Sequence, residues 1–276
     1  ADAVQDPILR RLCIEIYNDN AAELQETSGL RFLPMPVLPA WSIDECVREA
    51  ERLSDLGFRG VNMTSDPDEA GSPDLAHPDW DALWEVCADR NLPVHFHIGA
   101  SLTSLNFYGK YFWPSQEQNV KPAIGGGMLF INNARVVLNS IYAGIFDRFP
   151  RLQMVSVESG MGWVPFIMEV ADYELSENAP AQYDALSKKP SEYFAENIYM
   201  TFQDDWTAFR QADDMNWRRL MWANDFPHSD STWPHSQELL DQHLQQLRPE
   251  QQRAIVCENV AELYQIDLSN FTEGGR

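Results

Sequence analysis

Short runs of strand-forming residues alternate with helix-forming stretches along this chain, and that alternation admits little besides a parallel α/β fold. The runs are Arg31 to Pro39 (RFLPMPVLP), Phe58 to Met63 (FRGVNM), the stretch around Val94 to Ile98, Leu152 to Val157, Ile198 to Phe202 and Arg219 to Ala223. A helix over residues 7 to 25 comes first, with Ile8, Leu12, Ile16 and Leu24 at near-helical spacing. Ser42, followed by Glu45, reads as the capping box of the next helix. Further helices are expected over 79–90, 128–146, 163–177, 236–247 and 249–264. Six strands with a leading helix predict a (β/α)8 TIM barrel whose first one or two strands are absent from this sequence. No linker, repeat or low-complexity block divides the chain, so residues 1–276 are read as one N-terminally incomplete barrel domain.

Lys and Arg number 20 against 42 Asp and Glu, a net charge of −22 that repels phosphate backbones and anionic lipid. Nucleic acid and membrane are therefore excluded as partners. Cys13, Cys46, Cys87 and Cys257 form no CxxC pair and read as buried thiols of a reducing compartment. With no long apolar run and acidic residues at the N-terminus, the expected location is the cytoplasm.

The chemistry-bearing residues fall at strand ends. His95 and His97 sit two apart in LPVHFHIGAS, so on a strand both project to one face. Glu158 follows the strand LQMVSV, and Asp225 with His228 follows RLMWA. A barrel gathers such residues at one mouth, although sequence separates them by about sixty residues each time. Imidazole and carboxylate are ligands for zinc, manganese or iron. A structural reading stays open for each: a hydrogen-bonded histidine pair, Glu158 capping the helix near Trp163, Asp225 capping the segment after it. Residues 102–127 form a long connection carrying Phe107, Tyr108, Tyr111, Phe112 and Trp113 and ending in Gly125-Gly126-Gly127, expected to be a lid or a subunit contact.

The stretch Leu220-Met221-Trp222-Ala223-Asn224-Asp225-Phe226-Pro227-His228, with Ser231-Thr232-Trp233-Pro234, resembles the last-strand signature of the amidohydrolase-2 family, which includes aminocarboxymuconate-semialdehyde decarboxylase. Supporting matches are Leu92 to Gly99, Glu158 to Pro165 and Tyr17-Asn18-Asp19, so the resemblance covers essentially the whole chain. It implies that His97 is a metal-binding histidine, that Asp225 binds metal or water and moves protons, and that His228 lies near the substrate. Two departures matter: the family's first-strand HxH or ExH pair has no counterpart, and Glu158 replaces its sixth-strand histidine. The carboxylate shifts preference toward manganese or iron.

The resemblance thus implies a metal-dependent hydrolase or non-oxidative decarboxylase for a small carboxylated or carbonyl-containing compound. Its ion is divalent, zinc or manganese first and iron as an alternative, with His97, Glu158, Asp225 and His95 as the ligand set and Asp225 and His228 as the catalytic pair. Two alternatives stay open: a dinuclear iron or manganese oxygenase using His95 and Glu158 for a second ion, and a noncatalytic barrel subunit paired with an active relative. A homodimer, or a hetero-oligomer with a related barrel, is the expected assembly.

Overall fold

The computed structural model describes residues 4, 6–110 and 112–271, with the side chains of residues 107–110 left aside. Tyr111, named above for the aromatic connection, lies outside the described residues. Helix α1 spans Pro7–Thr27 and α2 Ile43–Asp55; then come β1 (Val61–Asn62), α3 (Asp81–Asp89), β2 (Val94–His97), α4 (Leu102–Lys110) and α5 (Lys121–Tyr142). The last strands are β3 (Met154–Val157), β4 (Ile198–Phe202) and β5 (Leu220–Trp222). All pair in parallel, in the order β1-β2-β3-β4-β5, as successive strands of a (β/α) barrel do.

The expected first strand, Arg31 to Pro39, is instead a single parallel bridge between Val37 and Asn62. Asn62 N–H donates to Pro36 O at 2.8 Å and Leu38 N–H to Asn62 O at 2.9 Å. Pro34, Pro36 and Pro39 have no N–H to extend the ladder further. The sheet therefore has five strands rather than six, and among the described residues none covers the outer edge of β5. A second correction concerns residues 102–127. Most of that stretch is helical, and Gly125-Gly126-Gly127 lie inside α5, whose packing against α4 outweighs the glycines' helix penalty of about 1 kcal/mol each.

Alternation along the strands sorts side chains onto two faces. Val94, Phe96, Met154, Ile198, Met200 and Leu220 face the surrounding helices in one large core that includes Trp80, Trp84 and Phe146. Val155, Tyr199 and Met221 face the barrel interior, where Leu263 and the partly buried Tyr264 pack on them. Helix α1 behaves unexpectedly: its apolar stripe (Ile8, Leu12, Ile16) points outward, while Asn18 and Gln25 are buried. Asn18 accepts from Val37 N–H and donates to Val37 O and Glu49, and Gln25 donates to Gly57 O, so polar anchors rather than burial of the stripe fix this helix. Cys46 and Cys87 are buried, but Cys13 and Cys257 are exposed; Cys13 lies on the outward side of α1. No helix among the described residues is long and apolar enough to cross a membrane.

His95 shares the interior face with His97 but sits one step deeper. Its Nδ1 donates to Val61 O at 2.9 Å, and its Nε2 accepts from the Tyr264 hydroxyl at 2.7 Å, the tautomer being set by the carbonyl. Gly60 lets the ring in, since a Cβ there would stand 2.6 Å from His95 Cε1. Burial drives the His95 pKa from its ordinary 6.5 down to about 4. The unfolded chain binds this proton more readily than the folded one, so the contribution is complete above pH 6.5 and is lost as pH falls toward 4, on the order of 3 kcal/mol. Urea midpoints at pH 7.5 and 4.5 check this: His95→Gln should lose less stability on acidification than wild type, and an identical loss would contradict it.

Candidate active site at the mouth of the barrel

Parallel pairing puts the C-terminal ends of β2, β3 and β5 at one edge, and with them His97, Glu158 and Asp225. His97 Nε2 lies 2.8 Å from Glu158 Oε2. His97 Nδ1 lies 2.7 Å from Ile98 O and must be the protonated nitrogen, because a carbonyl only accepts. Nε2 is then left either to carry a second proton toward Glu158 or to offer its lone pair to a cation, the arrangement common to metal-bound histidines. Here Nε2 faces Glu158, and that contact raises the His97 pKa above the ordinary histidine value against the cost of burial.

Both carboxylates sit on left-handed backbone, Glu158 at φ 60° and Asp225 at φ 59°. Such a conformation costs a non-glycine residue about 1–2 kcal/mol, so the surroundings must hold it. At Glu158 they do: its N–H donates to Thr201 Oγ1 at 2.7 Å from the neighbouring strand, while Asp205 accepts from Met161 N–H three residues on. Neither acid caps the following helix. The helix Val164–Asn178 has Trp163 at its N-cap with no side-chain bond, and Asp225 Oδ2 is buried without any hydrogen-bond partner. Burial first, then the negative charge of Glu158, raises the Asp225 pKa from its ordinary value.

The three residues open onto a cavity of about 660 Å³ whose apolar wall includes Phe130, Ile131, Val157 and Trp163. Glu158, Asp204, Asp205, Asp225 and Asp230 also line it, and no Lys or Arg does among the described residues. His228 lies at the rim in an adjoining hollow, hydrogen-bonded to Asp230, with Nδ1 3.7 Å from Asp225 Oδ2. The Asp230 hydrogen bond first, then the charges of Asp230 and Asp225, raise the His228 pKa. Asp225, His228 and Asp230 bring three donor atoms within 4.8 Å of one another, the one such group among the described residues. His97 and Glu158 therefore stand as a pair beside this group, and His95, with both nitrogens engaged by Val61 and Tyr264, stands apart from it.

Thr201, Asp230 and Gln203, which hydrogen-bonds Asp225, join the site only in the folded chain. Thr201 had a signal: it is the polar inward position of the otherwise apolar run IYMTF.

Donor side chains at the C-terminal mouth of a parallel α/β barrel define the class of barrel proteins that do chemistry at strand ends. The chain belongs to the amidohydrolase family, whose model matches residues 3–266. Decarboxylase orsB of Emericella nidulans is 27% identical over 216 residues, covering 75% of this chain and 62% of that protein, so the chain spans under two thirds of this relative's length. Two solved structures share the amidohydrolase-type barrel. The 5-carboxyvanillate decarboxylase of Sphingomonas paucimobilis matches with TM-score 0.72 and 22% identity, over 92% of this chain and 73% of that one. That of Novosphingobium aromaticivorans, with bound manganese and 3-methoxy-4-hydroxy-5-nitrobenzoic acid, matches with TM-score 0.78 and 20% identity, over 96% and 74%.

Because the Glu158 carboxylate is the main support of the His97 imidazolium, Glu158→Gln should lower the His97 titration midpoint in an NMR pH series. An unmoved midpoint would remove the pair from the account.

Proposed function

We propose that this chain carries the site of a metal-dependent, non-oxidative decarboxylase for a small aromatic carboxylate. The observation that carries the reading is the buried Oδ2 of Asp225, without a hydrogen bond, beside the His97–Glu158 pair, in a cavity rich in carboxylates and, among the described residues, lacking a lysine or arginine. Like charges gathered in a partly buried cavity are unfavourable unless a cation or protons offset them. The donor set suits a divalent ion: His97 through Nε2, Glu158 and Asp225, with His228 and Asp230 at the rim. Its carboxylate content favours manganese over zinc, and manganese is bound in the Novosphingobium relative. When bound, the ion supplies positive charge that neutralises and orients a substrate carboxylate.

The chain's own residues supply the rest. Phe130, Ile131, Val157 and Trp163 form an apolar wall against which a flat ring packs and from which water is displaced. In decarboxylation the ring carbon keeps the electron pair of the bond to the departing carbon dioxide and must receive a proton. Asp225, which lines the cavity, is the group placed to deliver it. His228, held by Asp230, lines the adjoining hollow that shares His97, Glu158 and Asp225 with the cavity, and from there orients the substrate. The names of the relatives favour this reading over hydrolysis, since orsB and both 5-carboxyvanillate enzymes are decarboxylases.

Carbon dioxide release from a panel of hydroxylated benzoates and 5-carboxyvanillate, with manganese present, tests the proposal. Chelation should abolish release and manganese restore it, and Asp225→Asn should lower the rate by roughly two to four orders of magnitude. Full activity in the chelated protein or in Asp225→Asn would contradict it, as would cleavage of esters or amides without carbon dioxide release.

A further inference from the structure

Beneath the site lies a polar group that the proposed chemistry does not use. Asn132 and Asn133 interrupt the apolar run of α5, and both are 1% exposed. Asn132 turns to Ser104 Oγ at 2.6 Å and so ties α5 to α4. Asn133 does something different: its Nδ2 donates at 3.0 Å to Phe96 O on β2 and at 3.0 Å to Ser156 Oγ on β3. An amide nitrogen has two hydrogens, so both are committed. Phe96 is the residue before His97. Ser156 Oγ in turn meets Ser159 Oγ at 2.7 Å, and Ser159, wholly buried, is the residue after Glu158. Trp163 Nε1 donates to Ser159 O at 2.9 Å and closes the turn from the other side.

From this connectivity we propose that Asn133 is the positioning residue that sets His97 against Glu158. The proposal rests on the reading of these two as site residues. One rigid amide spans the two strands whose ends carry them, one link from His97 and two links from the left-handed turn at Glu158. Backbone pairing between β2 and β3 fixes their register, with His97 opposite Val157, but leaves the turn beyond Val157 free to choose its path. The Asn133–Ser156–Ser159 chain removes that freedom from below, as the Thr201 bond to Glu158 N–H does from the side. A network of this kind, buried and with its donors used, holds geometry more tightly than its separate bonds do.

The fold supplies a matched control. Asn197 is also buried, at 2%, and its Nδ2 likewise donates twice, to Pro150 O at 3.1 Å and Leu152 O at 2.9 Å. It grips the opposite, N-terminal end of β3. Asn133→Ala and Asn197→Ala each remove two donated hydrogen bonds from similar burial at the two ends of one strand, and a purely structural role makes them alike.

The test uses long-range 1H–15N spectra of the metal-free protein, detected on carbon-bound imidazole protons, with the His97 signals assigned by their loss in His97→Asn. In Asn133→Ala the His97 nitrogens should move toward their positions in Glu158→Gln, while in Asn197→Ala they should stay at the wild-type positions. Ser156→Ala cuts the same chain from its other side and should reproduce the movement if Asn133→Ala does not fold. Manganese affinity should fall about 10–100-fold in Asn133→Ala and stay within about twofold of wild type in Asn197→Ala. Unmoved His97 signals in Asn133→Ala and Ser156→Ala, or equal movement in Asn197→Ala, would overturn the assignment. If the wild-type chain bound no manganese while the spectra behaved as described, the metal-dependent reading would fail and the positioning role would stand.

Discussion

The parallel pairing of β2, β3, β4 and β5 is the constraint from which the site follows. Because these strands run one way, residues 97, 158 and 225, far apart in sequence, emerge at the same edge of the sheet. Inward-facing positions below them are filled by Val155, Tyr199, Met221 and the His95–Tyr264 pair, which form a packed floor rather than a pore. The two histidines of β2 thus divide their labour by depth. His95 is neutral, satisfied and buried; His97 is half exposed and faces an acid.

Strained backbone, crowded carboxylates and an orphaned oxygen converge on one small region. Left-handed φ values at Glu158 and Asp225 cost free energy that a purely structural turn would avoid with glycine, as the neighbouring Gly160 does at φ 64°. Asp225 Oδ2 forgoes a hydrogen bond as well, which costs a buried polar atom about 1–3 kcal/mol. Such costs persist where the remaining structure over-determines them, and at the Glu158 turn Thr201, Asp205, Ser156 and Asn133 do so. A cation among His97, Glu158 and Asp225 would relieve the charge and satisfy the orphan together.

The barrel class was legible because period-two strands and helical stretches alternate, and the strand-end residues were legible because a polar residue closing an apolar run stands out. Tertiary context decides the elements that local pattern leaves ambiguous. Arg31 to Pro39 has a strand's apolar content, but its prolines leave too few donors to build a ladder. The glycine triplet looks like a loop, yet it lies within α5, a helix packed against α4. The stripe of α1 predicts a buried apolar face, whereas the buried residues are Asn18 and Gln25, bonded to Val37, Glu49 and Gly57. Spacing also could not distinguish His95 from His97, since both point to one face and only Gly60 and Tyr264 reveal which is sealed.

Anomalous diffraction from crystals grown with manganese, collected on both sides of its absorption edge, tests the central claim most directly. The account predicts one strong peak per chain in contact with His97 Nε2, Glu158 and Asp225, and its disappearance in Asp225→Ala. Absence of a peak there, or manganese bound only at exposed acids away from the cavity, would contradict it.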